Sequence, residues 1–120
     1  MREPSKHCRK SYELIALYKK TIKKIQEEDK LQRFYFPPEV NCYWNTKLKA
    51  AARIILNRDN EPQRIEFNPT YFALFPQDLE KVMIHEVLHI KFPNHGASFK
   101  LHCKIYGGLL YSKNIERRKS

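Results

Sequence analysis

His85-Glu86-Val87-Leu88-His89, with His95-Gly96-Ala97-Ser98-Phe99 beginning six residues beyond the second histidine, is the stretch from which the rest of the chain is read. If it is helical, His85 and His89 lie one above the other, because i and i+4 share a face at 3.6 residues per turn. Two imidazoles so placed can hold one Zn²⁺, and Glu86 can lean over the metal's open side. His95 is placed to be the third ligand. Three neutral imidazoles leave one coordination position for a water, whose proton Glu86 can take and later hand to a leaving amine. The pattern predicts a zinc-dependent hydrolase, most simply a peptidase. Its expected site holds one Zn²⁺ per chain on His85, His89 and His95, with Glu86 as general base.

The surroundings support a helix. Residues 79–90 carry apolar side chains at Leu79, Val82, Met83, Val87 and Ile90 and contain neither Gly nor Pro. Pro76, Gln77, Asp78 and Glu80 form an acidic first turn, favoured by the helix dipole, and Pro93 stops the helix beyond His89. Residues 91–94 then turn the chain so that His95 faces the metal, and Gly96 is expected to allow a tight backbone there.

The spacing from His89 to His95 equals that of the metzincin pattern HExxHxxGxxH. Phe92, however, stands where that pattern needs Gly, and no methionine follows Met83. The two quoted segments instead resemble the HExxH…HGxxF signature of the SprT-like (Spartan-type) zinc metalloproteases. Trp44-Asn45-Thr46-Lys47-Leu48-Lys49-Ala50-Ala51-Ala52 resembles that family's WN-x-x-L-x-x-T-A-G strand, and Arg64-Ile65-Glu66-Phe67-Asn68-Pro69 its I-x-L-N-P strand. Asn94-His95 is also similar to a neighbouring group of small zinc peptidases of the YgjP and WLM type. Ala51-Ala52 departs from T-A-G, and Cys8, Cys42 and Cys103 form no CxxC pair for a second, structural zinc. The resemblance implies a zincin-like minimal metalloprotease core and protein substrates, including proteins bound to DNA.

The chain has 120 residues, which suits one domain, and a formal net charge of +10. Such a charge attracts polyanions, of which nucleic acid is the commonest inside a cell. Lys19, Lys20, Lys23 and Lys24 crowd the first predicted helix, and Lys47, Lys49 and Arg53 precede the motif. These seven are the candidate phosphate contacts, although Glu27 and Glu28 stand four residues after Lys23 and Lys24 and can pair with them. No base-reading motif is present, so any binding is expected to be phosphate-driven and salt-sensitive. No apolar run long enough to span a membrane occurs, and the charged residues 1–10 lack the apolar core of a secretory signal. Three cysteines, an odd number, suit a reducing compartment. An intracellular location is expected, cytoplasmic, or with the nucleoid or nucleus if action is coupled to DNA. Oligomeric state is left open.

The expected organisation is a flexible basic arm over residues 1–10, one catalytic domain over residues 11–112 and a basic tail over residues 113–120. Ser11 is read as the cap of a helix running to about Glu28, with a stripe of Leu14, Leu17, Tyr18, Ile22 and Ile25. Phe34-Tyr35-Phe36 is an aromatic linker that could stack bases, although packing against the sheet is favoured. Residues 40–44, 51–57 and 64–68 read as three short strands, with the last offering its edge to an extended substrate. A short helical segment over residues 71–75, the motif helix and a helix from 95 to about 106 complete the chain, with Phe99, Cys103 and Tyr106 inward. His102 is read as a surface or supporting residue rather than a fourth ligand. The fold class is α+β: a small, three-stranded, antiparallel sheet packed with an N-terminal helix, the HExxH helix and a C-terminal helix. The competing reading is a basic nucleic-acid-binding module whose histidines hold a structural zinc or are a vestige. Glu86 argues against it, because a closed structural site has no use for an adjacent base.

Overall fold

A computed structural model describes residues 5–110. The tail over residues 113–120 and the start of the predicted arm lie outside the described residues. In chain order the elements are β1 (Cys8–Lys10), α1 (Tyr12–Glu28), β2 (Asn41–Asn45), β3 (Ala52–Leu56), β4 (Pro62–Phe67), α2 (Pro69–Leu74), α3 (Leu79–Leu88) and α4 (Ala97–Tyr106), with a 3₁₀ turn at Pro76–Asp78 before α3.

The fold is α+β, as expected, but the sheet has four strands in the order β1-β2-β4-β3. It is mixed rather than antiparallel: β2 runs parallel to β4, while β1–β2 and β3–β4 are antiparallel. Residues 8–10, read as part of a loose arm, form the edge strand β1, with Cys8 opposite Asn45 and Lys10 opposite Tyr43. Cys8, Arg9 and Lys10, two of them charged, are too few to show a hydrophobic alternation. Such short, charged strands are the kind that fit a sheet edge. The parallel pairing was equally hidden, because a period of two says which face a residue takes and nothing about which strand lies beside it.

Local chemistry explains the element ends. The Ser11 hydroxyl accepts from the Leu14 N–H at 3.1 Å and caps α1. Asn57 accepts from the backbone N–H groups of Asp59 and Glu61, closing the β3–β4 hairpin, with Asn60 left-handed at φ 62°. Asn68 caps α2 by accepting from Thr70 and Tyr71, and its side-chain amide donates to the Leu48 carbonyl. Asp78 stands at the N-cap of α3, at the acidic helix start that was expected, where it is buried and accepts from the Tyr71 hydroxyl at 2.9 Å.

The helices pack against the sheet face that carries Cys42, Ile65 and Phe67, with α1 against β2, α3 against β3, and α3 between α1 and α4. Leu14, Tyr18, Ile22 and Ile25 of α1 are buried in that core, with Leu17 half-buried at its rim. The aromatic linker serves packing: Phe36 is buried, Phe34 meets Phe36, Phe92, His102 and Tyr106, and the Tyr18 hydroxyl donates to the Pro37 carbonyl at 2.6 Å.

The opposite sheet face is organised by one buried anion. Glu66, only 1% exposed, accepts from Arg53 Nε and Arg64 Nε, each at 2.7 Å, and from Asn45 Nδ2 at 3.0 Å. Three strands are thereby tied at one carboxylate. Burial works to raise the Glu66 pKa, yet hydrogen bonds from Arg64, Asn45 and Arg53 outweigh it and hold it down to about 2. Two outcomes are expected. Glu66→Gln should lower unfolding free energy in a denaturant titration by about 1–3 kcal/mol, since it removes the charge that two guanidiniums share, one of them half exposed. Because the folded pKa is depressed, the contribution is present above the ordinary carboxylate range. It is lost as pH falls toward about 2, so wild type should show an acid destabilisation that Glu66→Gln lacks.

Candidate metal centre

α3 carries His85 and Glu86, its C-cap is His89, and His95 stands two residues before α4. The three Nε2 atoms converge: His85–His89 at 3.1 Å, His89–His95 at 3.0 Å and His85–His95 at 3.3 Å. His85 Nδ1 lies 2.6 Å from the Leu109 carbonyl and His89 Nδ1 3.0 Å from the Phe92 carbonyl. A carbonyl can only accept, so both Nδ1 atoms carry their ring's proton. The Nε2 atoms of His85 and His89 are then bare lone pairs aimed at the same point as His95 Nε2. Bare nitrogens at 3 Å repel unless a cation lies between them. A tetrahedral ion with metal–nitrogen bonds of about 2.0–2.1 Å would separate its ligands by about 3.3–3.4 Å, close to the spacing here. The group His85, His89 and His95 could therefore hold a metal ion.

Both ring protons being held by backbone carbonyls, the ligand tautomers are set before any ion arrives. Burial, the largest effect, and the neighbouring imidazoles push the His85 pKa down to about 4, so its ring is neutral at physiological pH. Burial lowers His89 as well. Phe99, the last residue of the HGxxF segment, sits among all three rings, stacked on His89 at 4.4 Å and edge-on to His85 and His95 at 4.8 and 5.1 Å. It is 1% exposed, which gives that phenylalanine a packing role inside the metal centre. Gly96 contradicts its expected role. It adopts φ −80° and ψ −173°, a conformation open to any residue, and a Cβ there would meet nothing within 4 Å.

Glu86 is buried, with a carboxylate oxygen 3.9 Å from His85 Nε2. Burial pushes its pKa up to about 8. Beside it lies a cavity of about 70 Å³ walled by Ala50, Ala51, Ala52, Val82 and Leu109 together with His85 and Glu86. Sharing Ala52, His85 and Glu86 with that cavity, an open groove runs between β3 and the residues His85, Glu86, His89, Pro93 and His95. The strand at the groove is thus β3. β4, expected to offer its edge, is paired on both sides by β2 and β3.

His102 is not a fourth ligand. It is buried, its Nδ1 lies 2.7 Å from the Ser98 carbonyl, and its ring stacks on Phe92 at 4.7 Å. Through that stack it braces the residue whose carbonyl orients His89. The seven candidate phosphate contacts fall on two parts of the fold. Lys19, Lys20, Lys23 and Lys24 are exposed on α1, with Lys20 3.8 Å from Glu80. Among the described residues no ion pair joins Lys23 or Lys24 to Glu27 or Glu28. Lys47 and Lys49 are exposed on the loop leading to β3, and Arg53 of β3 is paired with Glu66.

The carbonyls of Leu109 and Phe92 were invisible in the sequence, since any residue supplies a backbone carbonyl. By local pattern Gly107-Gly108 is a helix stop and nothing more. Gly107 is indeed the left-handed cap of α4, at φ 82°. Gly108 does more: a Cβ there would lie 2.6 Å from Cys103 Sγ and 2.9 Å from Ile84 Cγ2. Only glycine lets the chain press onto α3 closely enough for Leu109 to donate to the Lys81 carbonyl and accept from His85.

A helical HExxH segment on an α+β scaffold, its two histidines meeting a third at the approach to a following helix in a group that could hold a metal, is the class that this geometry defines. The sequence profile of the SprT-like family matches residues 11–119, and the chain belongs to that family. Neither a curated protein nor a solved structure matches it. Among the described residues no helix is long and apolar enough to cross a membrane.

Gly108→Ala should weaken zinc binding about tenfold or more in a competition titration, as expected when a ligand's supporting partner is displaced. Its far-UV circular dichroism should remain close to wild type. Unchanged affinity would show that Leu109 does not orient His85.

Proposed function

We propose that this protein is a zinc-dependent peptidase that cleaves extended segments of proteins, and that nucleic acid brings those proteins to it. The observation carrying this reading is the convergence of three imidazole nitrogens beside a buried glutamate at the floor of an open groove. A structural zinc site would be closed by a fourth ligand, whereas here the side near exposed His95 opens onto β3.

His85, His89 and His95 would hold the ion, which when bound supplies Lewis acidity that eases deprotonation of a water and draws charge from a carbonyl oxygen. Glu86 takes the water's proton as the water oxygen bonds to the peptide carbonyl carbon. When the carbon–nitrogen bond breaks, the same carboxyl returns that proton to the leaving amine. β3 is an edge strand, so a substrate can line up along it by backbone hydrogen bonds that are indifferent to sequence. With broad specificity at the backbone, nucleic acid would set which proteins are cut. Lys47 and Lys49 stand on the loop that runs to Ala50 and Ala51 at the wall of the cavity beside Glu86, where phosphate contacts would bring a DNA-bound protein close to that residue.

The test is cleavage of a DNA-binding protein by zinc-loaded wild type and Glu86→Gln, with and without single-stranded DNA. Glu86→Gln should retain zinc and DNA while losing about 10²–10⁴-fold in turnover. Equal cleavage by both proteins would remove Glu86 from the chemistry. Absent cleavage, with one zinc and DNA firmly bound, would favour the binding module. DNA retention should weaken as salt rises. Lys47→Gln with Lys49→Gln should flatten that dependence by about one unit of log–log slope for each phosphate no longer neutralised. Salt-independent retention would contradict the phosphate reading.

A further inference from the structure

We propose that Arg53 selects the substrate, by pairing with an acidic side chain that lies within about two residues of the bond being cut. The proposal rests on the peptidase reading and names what the groove prefers to hold.

β3 pairs with β4 along one edge, and its other edge has no partner strand among the described residues. That edge lines the groove through Ala52, Arg53, Ile54 and Leu56. A polypeptide entering in extended form would add beside it as a further strand. Side chains alternate along β3, and Arg53 lies opposite Glu66, on the face turned away from the buried Ile65 and Phe67. A substrate residue aligned with Arg53 would present its side chain on that same face, at cross-strand pairing distance. Ala52, the preceding residue, borders both the groove and the cavity beside Glu86. The residue read by Arg53 is therefore close to the reacting carbonyl.

The chemistry at Arg53 is set up for an anion. Its Nε donates to Glu66 at 2.7 Å, and the side chain is 50% exposed against 1% for Glu66. Anchored by Nε, the guanidinium keeps its Nη donors without a partner among the described residues, arranged as the fork that engages a carboxylate. Charge agrees. Glu66 is one anion divided between Arg53 and Arg64, so Arg53 holds only a share of its countercharge and can take a second negative group. A lysine at this position would have no rigid fork to hold out. Phosphate is the other anion that such a fork accepts. The location of Arg53 on a strand where a peptide would pair favours the carboxylate.

The experiment uses the zinc-loaded full chain and an unstructured peptide library in which Glu, Gln or Lys occupies each position in turn. Wild type should favour Glu over Gln about two- to fivefold at one position near the cut, and raised salt should shrink that ratio. Arg53→Gln should bring the ratio to about one, Arg53→Lys should retain part of it, and Arg53→Glu should shift the preference to Lys. A structural role for Arg53 would lower activity on all peptides alike and leave the ratios untouched, which would overturn the proposal. Equilibrium binding of the same peptides to zinc-loaded Glu86→Gln, with and without Arg53→Gln, reads the preference independently of turnover. Cleavage without any Arg53-dependent preference sinks the proposal and leaves the peptidase intact. Arg53-dependent binding of acidic peptides without cleavage by wild type does the reverse. Loss of DNA retention in Arg53→Gln, with peptide ratios unchanged, would overturn the proposal and give Arg53 to phosphate.

Discussion

Two imidazole lone pairs, those of His85 and His89, aim at one point together with the ring of His95, and the architecture around α3 holds them there. The i, i+4 spacing brings His85 and His89 together at no extra cost, because an α-helix does that for any two residues so spaced. Keeping their rings turned inward, in the tautomer that leaves Nε2 bare, takes support from elsewhere. The Leu109 carbonyl fixes His85, the Phe92 carbonyl fixes His89, and Phe99 fills the space between the rings. Those supports come from the chain after α3, folded back over it.

That dependence accounts for much of the C-terminal half. α4 presents Phe99 to the metal centre and Cys103 and Tyr106 to the core, then ends at Gly107. The close approach at Gly108 lets Leu109 reach His85. His102 and Phe34 both pack on the Phe92 ring, one stacked and one edge-on, and on each other. The aromatic linker before β2, which could have served as a platform for bases, is thereby bound up with the support of His89. An ion arriving at such a site meets ligands already oriented, and little rearrangement opposes its binding.

The sheet answers a different requirement, that of bringing an open strand edge to the three histidines. Because β4 lies between β2 and β3, the later strand is central and the earlier β3 is left at the rim, beside α3. Glu66 ties β2, β3 and β4 together on the face opposite the helices described and holds Arg53 at the groove, so one buried carboxylate joins the stability of the sheet to the charge at its edge. Charge that reads from composition as a general attraction to polyanions is thus divided locally. The lysines of α1 and of the β2–β3 loop are exposed, whereas Arg53 and Arg64 answer to an anion inside the protein.

The pairing of His85 with His89 was legible from spacing alone, because one regular helix brings i and i+4 together, and the apolar period around them announced that helix. The cap at Ser11, the stripe on α1 and the stop at Gly107 were legible for the same reason: each depends on residues within a turn or two of one another. Pairings between distant segments were not. A three-residue charged strand, a parallel partnership between β2 and β4, and the exchange of edge from β4 to β3 leave no mark on local pattern. Tertiary structure also decided which glycine matters, relieving Gly96 of its expected role and assigning one to Gly108. Last, it decided what orients the histidines, since a backbone carbonyl is common to every residue and acquires a function only from where the fold puts it.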